Sequence, residues 1–239
     1  TRPNRMKALA KLGFNQSYTY FTWKNSAYEL KEYLAELTHT EMVEYFRPNF
    51  FANTPDILHE YLQSGSRAAF RIRLMLAATL SPVYGIYSGY ELCEHLPVRH
   101  GSEEYLDSEK YEIRQRDWNA PNNIKQDIAK INRIRRENPA LHQLGNLEFI
   151  VSEYEGILAY RKFAPGNEIL VIVNLDPVLV HESIVHVPIQ EMGIADGEPY
   201  EVYDLLNGAR YSWRGVRNYV RLDPAERVAH VFRISRRGI

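Results

Sequence analysis

The feature that most constrains this chain is a change of rhythm near Gly145. Up to that point, short runs of aromatic and β-branched residues alternate with longer stretches whose apolar residues recur at helical spacing. Beyond it, short strand-like runs follow one another with only turn residues between them. Strands alternating with helices predict parallel β/α units, because a parallel connection needs a crossover of a dozen or more residues, usually a helix. Closely spaced strands separated by turn signals predict an antiparallel β-sandwich. The expected fold class is α/β followed by all-β, with residues 1–144 and 145–239 as its two parts.

In the first part, Thr1–Leu12 reads as a helix with Pro3 in its first turn and Gly13 beyond its end. Ser17–Trp23 reads as a strand. Ser26 and Glu29 form a Ser-x-x-Glu capping box ahead of Leu30, Tyr33, Leu34 and Leu37 at helical spacing. Phe46–Ala52 reads as a second strand, Ser66–Leu80 as an apolar helix stopped by Pro82, and Val83–Ser88 as a third strand. Three parallel strands leave open edges, so they form either a small open sheet or a piece of something larger. Glu94–Arg116 is long, highly charged and aperiodic, and a loop of that length in a compact domain is functional or disordered. Asn123–Glu137 returns to helix through Ile124, Ile128, Ile131 and Ile134. After Gly145 the strand-like runs are Leu147–Ser152, Ile157–Phe163, Ile169–Val173, His181–Val187, Pro199–Tyr203, Tyr211–Trp213, Tyr219–Leu222 and Val228–Ile234, with a hairpin signal at Asn207-Gly208.

The stretch Phe46–Leu58 carries the best candidate for chemistry. Its strand gives way to Asn53-Thr54-Pro55-Asp56, and in barrels of alternating strands and helices the chemistry sits at the C-terminal ends of the strands. The competing reading is that Thr54 or Asp56 caps a short helix with Pro55 in its first turn, which on pattern alone is the commoner job. Glu91 reads either as cleft-facing or as a buried carboxylate paired with an arginine.

A net charge of −1 gives no footprint for nucleic acid or for an anionic membrane surface. The most apolar run, Leu74–Tyr87, is broken by Thr79, Ser81, Pro82 and Gly85 and is too short to span a bilayer. Cys93 is the single cysteine, so no disulfide forms within the chain and a reducing, cytoplasmic location is the default. It reads as a small buried hydrophobe. His39, His59, His95 and His100 show no metal-ligand spacing, and no Gly-rich phosphate loop is present, so no cofactor is expected.

Several motifs occur in a familiar order. Pro82-Val83-Tyr84-Gly85-Ile86-Tyr87-Ser88-Gly89-Tyr90-Glu91 resembles the eighth barrel strand of glycoside hydrolase family 13, the α-amylase superfamily. Asn53-Thr54-Pro55-Asp56 falls where that superfamily carries Asn-His-Asp, with Pro55 in the histidine's place, which argues against a typical amylase. Phe21-Thr22-Trp23-Lys24-Asn25, Phe46-Arg47-Pro48-Asn49-Phe50-Phe51, Asn53-Thr54-Pro55-Asp56-Ile57-Leu58 and Glu109-Lys110-Tyr111-Glu112-Ile113-Arg114 together resemble the maltosyltransferases that use α-maltose 1-phosphate.

The resemblance runs along essentially the whole chain. It implies the C-terminal part of a (β/α)₈ barrel, strands six to eight, followed by the sandwich. It implies retaining transfer of maltosyl units from maltose 1-phosphate to an α-1,4-glucan with release of phosphate. Asp56 matches the transition-state stabiliser, and Lys110 and Tyr111 match a pair lining the donor sugar pocket. The nucleophile and the acid/base are implied to lie upstream of Thr1, so the chain alone is expected to be inactive and to need that upstream part as its partner; a homodimer is a candidate assembly. The alternatives are another family 13 enzyme acting on α-glucans (a hydrolase, branching enzyme or phosphorylase) and a non-catalytic glycan-binding fragment.

Overall fold

The computed structural model describes residues 1–236. The chain opens with helix α1 (Pro3–Lys11), begun by Pro3 and ended at Gly13, whose φ of +101° is open to glycine at little cost. Strand β1 (Ser17–Tyr18) is shorter than the sequence predicts. At Tyr20 the backbone turns into a 3₁₀ helix, Tyr20–Trp23, which packs Phe21 face to face on Phe50 with ring centroids 4.4 Å apart. The Thr22 hydroxyl donates to the Phe51 carbonyl at 3.0 Å. Residue types that suit a strand are used here to fill space beside the next strand.

Helix α2 (Ala27–His39) begins with the expected capping box: the Glu29 amide donates to Ser26 Oγ at 3.3 Å and Glu29 Oε2 accepts from the Ser26 amide at 3.1 Å. Leu30, Leu34 and Leu37 are buried along one face. A short helix α3 (Met42–Tyr45) leads to strand β2 (Pro48–Phe51), with proline at the strand's first position, where no ladder donor is lost. Helix α4 (Glu60–Gln63) is a single turn. Helix α5 (Arg67–Leu80) is mostly apolar and buried along nearly its whole length, with Arg67 and Arg71 paired to Asp127 near its start. Strand β3 (Val83–Gly85) completes a parallel sheet in the order β1-β2-β3. Gly85 is required there, because a Cβ would stand 2.5 Å from the Phe51 ring. Helix α6 (Lys125–Glu137) follows the charged loop.

The remaining strands are β4 (Leu147–Ile150), β5 (Ile157–Ala164), β6 (Asn167–Asn174), β7 (His181–His186), β8 (Pro199–Asp204), β9 (Arg210–Arg214), β10 (Arg217–Leu222) and β11 (Ala229–Arg236). Six form one antiparallel sheet in the order β4-β5-β6-β11-β8-β9, while β7 and β10 pair as a separate ribbon. The ribbon lies over one face of the large sheet, and Leu170, Ile172, Val202 and Phe232 of the sheet share a core with Val185, Val220 and Leu222 of the ribbon. The opposite face, through Leu158, Tyr160, Val171 and Val231, shares one core with α5 and the parallel sheet. Both faces of β5 and β6 are therefore buried, which is why these two strands read as near-continuous apolar runs.

Two buried basic side chains tie elements together. The Arg73 guanidinium of α5 donates to the carbonyls of Phe21 at 2.7 Å and Lys24 at 2.5 Å, at the end of the 3₁₀ helix, and lies 4.0 Å over the Phe21 ring. Lys162 of β5 is fully buried and donates to the Gln143 carbonyl.

Candidate active site

The C-terminal ends of β2 and β3 open on one rim, and side-chain amides hold that rim in shape. Asn53, fully buried, accepts from the Tyr87 amide at 2.8 Å and donates to the Tyr105 hydroxyl at 2.6 Å. It thereby fastens the turn after β2 both to the turn after β3 and to the charged loop. Thr54 and Ile57 exchange backbone hydrogen bonds of 3.2 Å each way, and Thr54 Oγ1 accepts from the Asp56 amide at 3.2 Å. This closes a tight turn that presents the Asp56 side chain outward, 65% exposed.

No helix starts at this turn. The next helix, α4, is capped by His59, whose Nδ1 accepts from the Tyr61 amide at 3.1 Å. His59 is thus a capping histidine with its ionisation pushed down by burial and by nearby Arg73. The capping role that Asp56 competes for on sequence grounds belongs to another residue.

Asp56 is paired instead with Lys110, 54 positions further along the chain, which donates to its Oδ1. The Lys110 ammonium also stands 3.7 Å from Glu104 and 5.0 Å from the centroid of the Tyr111 ring. The hydrogen bond to Asp56, followed by that to Tyr111, holds the ammonium's proton affinity well above the usual lysine range. Tyr111 is 71% exposed, with its ring available to a ligand. The structure thus brings all three candidate residues, Asp56, Lys110 and Tyr111, into one cluster.

The loop that delivers Lys110 has no helix or strand between Leu92 and Lys125, yet it is anchored repeatedly. Leu58 donates to the Glu103 carbonyl at 2.6 Å, Gln63 Nε2 to the Leu58 and Ser102 carbonyls at 2.9 Å each, and Trp23 Nε1 to Glu103 at 2.9 Å. At the tip, Ser108 is buried, its hydroxyl 3.2 Å from the Tyr87 hydroxyl and its carbonyl accepting from the Tyr111 amide at 2.9 Å. Sequence reasoning quotes Asn53 only as part of the turn motif and does not single out Tyr105 and Ser108. Their type gives one signal, since small amides and hydroxyls beside turns commonly close local hydrogen bonds, but their partners are far away in sequence.

Beside Asp56 lies a cleft of about 480 Å³, lined among others by Tyr18, Tyr20, Trp23 and Phe51, and these aromatic surfaces suit the apolar faces of a sugar ring. The Glu91 carboxylate accepts from the Gly89 amide at 3.1 Å, while nearby Arg116 pairs with Glu94 and Glu109. Cys93 is 7% exposed and its thiol is pushed up to about 11 by burial, so it is no nucleophile. Among the described residues no group of His, Cys, Asp or Glu is arranged to hold a metal ion, and no helix is long and apolar enough to cross a membrane.

The family model described as GLGE, C-terminal, matches residues 149–234. Alpha-1,4-glucan:maltose-1-phosphate maltosyltransferase 2 of Streptomyces coelicolor is 51% identical over 240 residues, covering 99% of this chain and 36% of that protein. The chain resembles the C-terminal portion of the GlgE-type maltosyltransferases. Alpha-1,4-glucan:maltose-1-phosphate maltosyltransferase of Chlorobaculum tepidum is 50% identical over 244 residues, covering 98% of this chain and 36% of that protein. The chain thus spans about a third of the length of the curated GlgE-type relatives it matches. Among solved structures, the α-amylase of Geobacillus thermoleovorans complexed with acarbose superposes with a TM-score of 0.73 at 14% identity, over 99% of this chain and 52% of that one. At that identity the likeness speaks for the fold alone: this chain shares its architecture with that α-amylase.

Proposed function

We propose that this chain is part of a retaining maltosyltransferase that moves maltosyl units from α-maltose 1-phosphate to the non-reducing ends of α-1,4-glucans and releases phosphate. One observation carries the reading. Lys110 and Asp56 meet at the C-terminal rim of parallel strands, in a chain about half identical over nearly its whole length to proteins of that name.

Retaining transfer breaks the bond from the anomeric carbon to the phosphate oxygen while an enzyme carboxylate bonds to that carbon; a glucan hydroxyl then displaces the carboxylate. Asp56 accepts hydrogen bonds from sugar hydroxyls and opposes the positive charge that grows on the ring, contacts that strengthen in the transition state. Lys110 donates to hydroxyl oxygens from the same side, and Tyr111 offers a ring face with a polar tip. With the sugar absent, Asp56 and Lys110 neutralise one another.

In this reading β1, β2 and β3 take the places of barrel strands six to eight within residues 1–144. Residues 145–239, of which 237–239 lie outside the described residues, form the C-terminal sandwich domain. The nucleophile and acid/base belong to the upstream part of the enzyme, and residues 1–239 alone do not turn over. The supports are the parallel order β1-β2-β3, the shared α-amylase fold and the greater length of the relatives.

The test is phosphate release by the complete protein incubated with maltose 1-phosphate and glycogen, with residues 1–239 run in parallel. Glucan cleavage without phosphate release would replace this reading with another family 13 α-glucan activity. Glycan binding with no turnover by the complete protein would leave a non-catalytic role.

A further inference from the structure

The charged loop holds a second ionic cluster, beside the Asp56–Lys110 pair, that the reading above does not use. Its centre is Arg116, whose side chain is only 4% exposed although the loop around it is polar. Nε and Nη2 grip the two oxygens of Glu94 at 2.7 and 3.1 Å, fork on fork. Nη1 lies 2.6 Å from Glu109 Oε1 and donates to Ser88 Oγ at 3.2 Å, and Nη2 reaches the Ser88 carbonyl at 3.4 Å. One guanidinium thus joins the turn after β3, the start of the loop and the loop tip. The fit is tight on its far side as well. Gly89 has a φ of +95°, and a Cβ there would stand 2.1 Å from Glu94 Oε2 and 3.2 Å from Arg116 Nη2. Arg114 braces the same carboxylate from 3.5 Å and donates to the carbonyls of Leu106 and Asp107.

Glu109, the residue next to Lys110, is the link that matters. A lysine on a flexible stem at the tip of an irregular loop loses its geometry readily unless the backbone beside it is held.

We propose that Arg116 is a positioning residue: by clamping Glu109 and Glu94 against the Ser88–Gly89 turn, it sets the loop tip at which Lys110 meets Asp56. Arg116 touches neither Asp56 nor Lys110, so it acts through the loop and not on the sugar. Lysine in its place keeps the charge but cannot fork onto Glu94 while also reaching Glu109 and Ser88. Glutamine at 109 keeps the shape and removes the charge-assisted contact. The consequence for turnover rests on the function proposed above; the consequence for Lys110 does not.

Two measurements on the complete enzyme test this. The first is the rate at which acetic anhydride labels the Lys110 amine, read by mass spectrometry. The pair with Asp56 keeps the amine protonated and slow, so Arg116→Lys and Glu109→Gln should each raise the labelling rate by about 3- to 10-fold, because a hydrogen bond to an ionised partner that is loosened protects less. An unchanged rate in both variants overturns the proposal.

The second is kcat/KM for maltose 1-phosphate in a double-mutant cycle. Arg116→Lys should lower it by roughly 10- to 100-fold when Lys110 is present, the scale of a misplaced binding group. In a Lys110→Ala background the same change should cost no more than about twofold, because the coupled partner is already gone. Equal losses in both backgrounds would mark Arg116 as a general scaffold residue and overturn the proposal. Should Arg116→Lys fail to fold, Glu109→Gln carries both measurements, since Glu109 sits at the loop surface. If the wild-type enzyme releases no phosphate at all, the proposed function fails, and the labelling rates alone decide the clamp.

Discussion

Replacing Lys162 with methionine should stabilise the protein at neutral pH and remove a defined part of its pH dependence. Lys162 lies in β5 with no exposed surface, and its ammonium donates to the Gln143 carbonyl. Its neighbour Arg161, on the opposite face of the strand, takes the carboxylates of Glu148 and Glu191; among the described residues no carboxylate pairs with Lys162. Burial, with Arg135 nearby adding repulsion, pushes its ionisation from 10.5 down to about 7. Each tenfold loss of proton affinity is worth about 1.4 kcal/mol, so the full cost of keeping the ammonium charged in the fold is of order 5 kcal/mol.

The sign follows from proton counts. Between pH 7 and 10.5 the unfolded chain holds the lysine proton and the folded one does not, so stability rises with pH across that window. Below pH 7 the whole penalty is present, and above 10.5 it is gone. Methionine fills a similar volume without charge and leaves the Gln143 carbonyl short of one donor, which costs about 1 kcal/mol. The assay is urea unfolding of wild type and Lys162→Met, followed by near-UV circular dichroism at pH 6.5, 7.5, 8.5 and 9.5. The methionine variant should be the more stable by roughly 3–4 kcal/mol at pH 6.5, and its advantage should shrink by about 1.4 kcal/mol per pH step above 7.5. A pH-independent difference, or a wild type more stable at pH 6.5, would refute the argument.

If the proposed function holds, Asp56→Asn in the complete protein should lower kcat by about 10²–10³, the usual cost of losing one preorganised electrostatic group, with the melting temperature unchanged; near-wild-type phosphate release would remove Asp56 from the chemistry. Lys110→Ala should weaken maltose 1-phosphate use, read as KM and kcat, while unfolding midpoints stay within about 0.5 kcal/mol of wild type, because Lys110 is a surface residue. A bound maltose lying far from Lys110 and Tyr111 would end that idea. Ser26→Ala breaks the capping box of α2 and should destabilise the protein by about 1 kcal/mol in urea unfolding, with activity per folded molecule unchanged; no measurable loss would mean that the packing of Leu30, Leu34 and Leu37 alone holds the helix start.

What the sequence by itself determined is local and periodic. Leu30, Leu34 and Leu37 at helical spacing behind Ser26-x-x-Glu29 specify α2 and its first turn, and both appear as read. The apolar run Ile169–Val173 and the mostly apolar run Ile157–Phe163, interrupted by Arg161 and Lys162, specify buried strands, and Gly13 and Pro82 mark where helices stop. Such signals depend on neighbours a few positions away, so they survive without knowledge of the rest of the molecule.

Tertiary structure decided everything that depends on distant partners. Ser17–Trp23 has the composition of a strand, but from Tyr20 onward its residues serve as a 3₁₀ turn, because Phe21 must lie on Phe50 and Arg73 must reach the carbonyls beyond it. The removal of β7 and β10 from the main sheet, and the order β4-β5-β6-β11-β8-β9, are choices of pairing that alternation within one strand does not encode. The same holds at the rim. Nothing around Asp56 shows that its ammonium partner lies 54 positions away, or that His59 takes the capping role. A charge in a loop looks like any other solvated charge until the chain folds back and burial, distance and hydrogen-bond geometry pick out its partner.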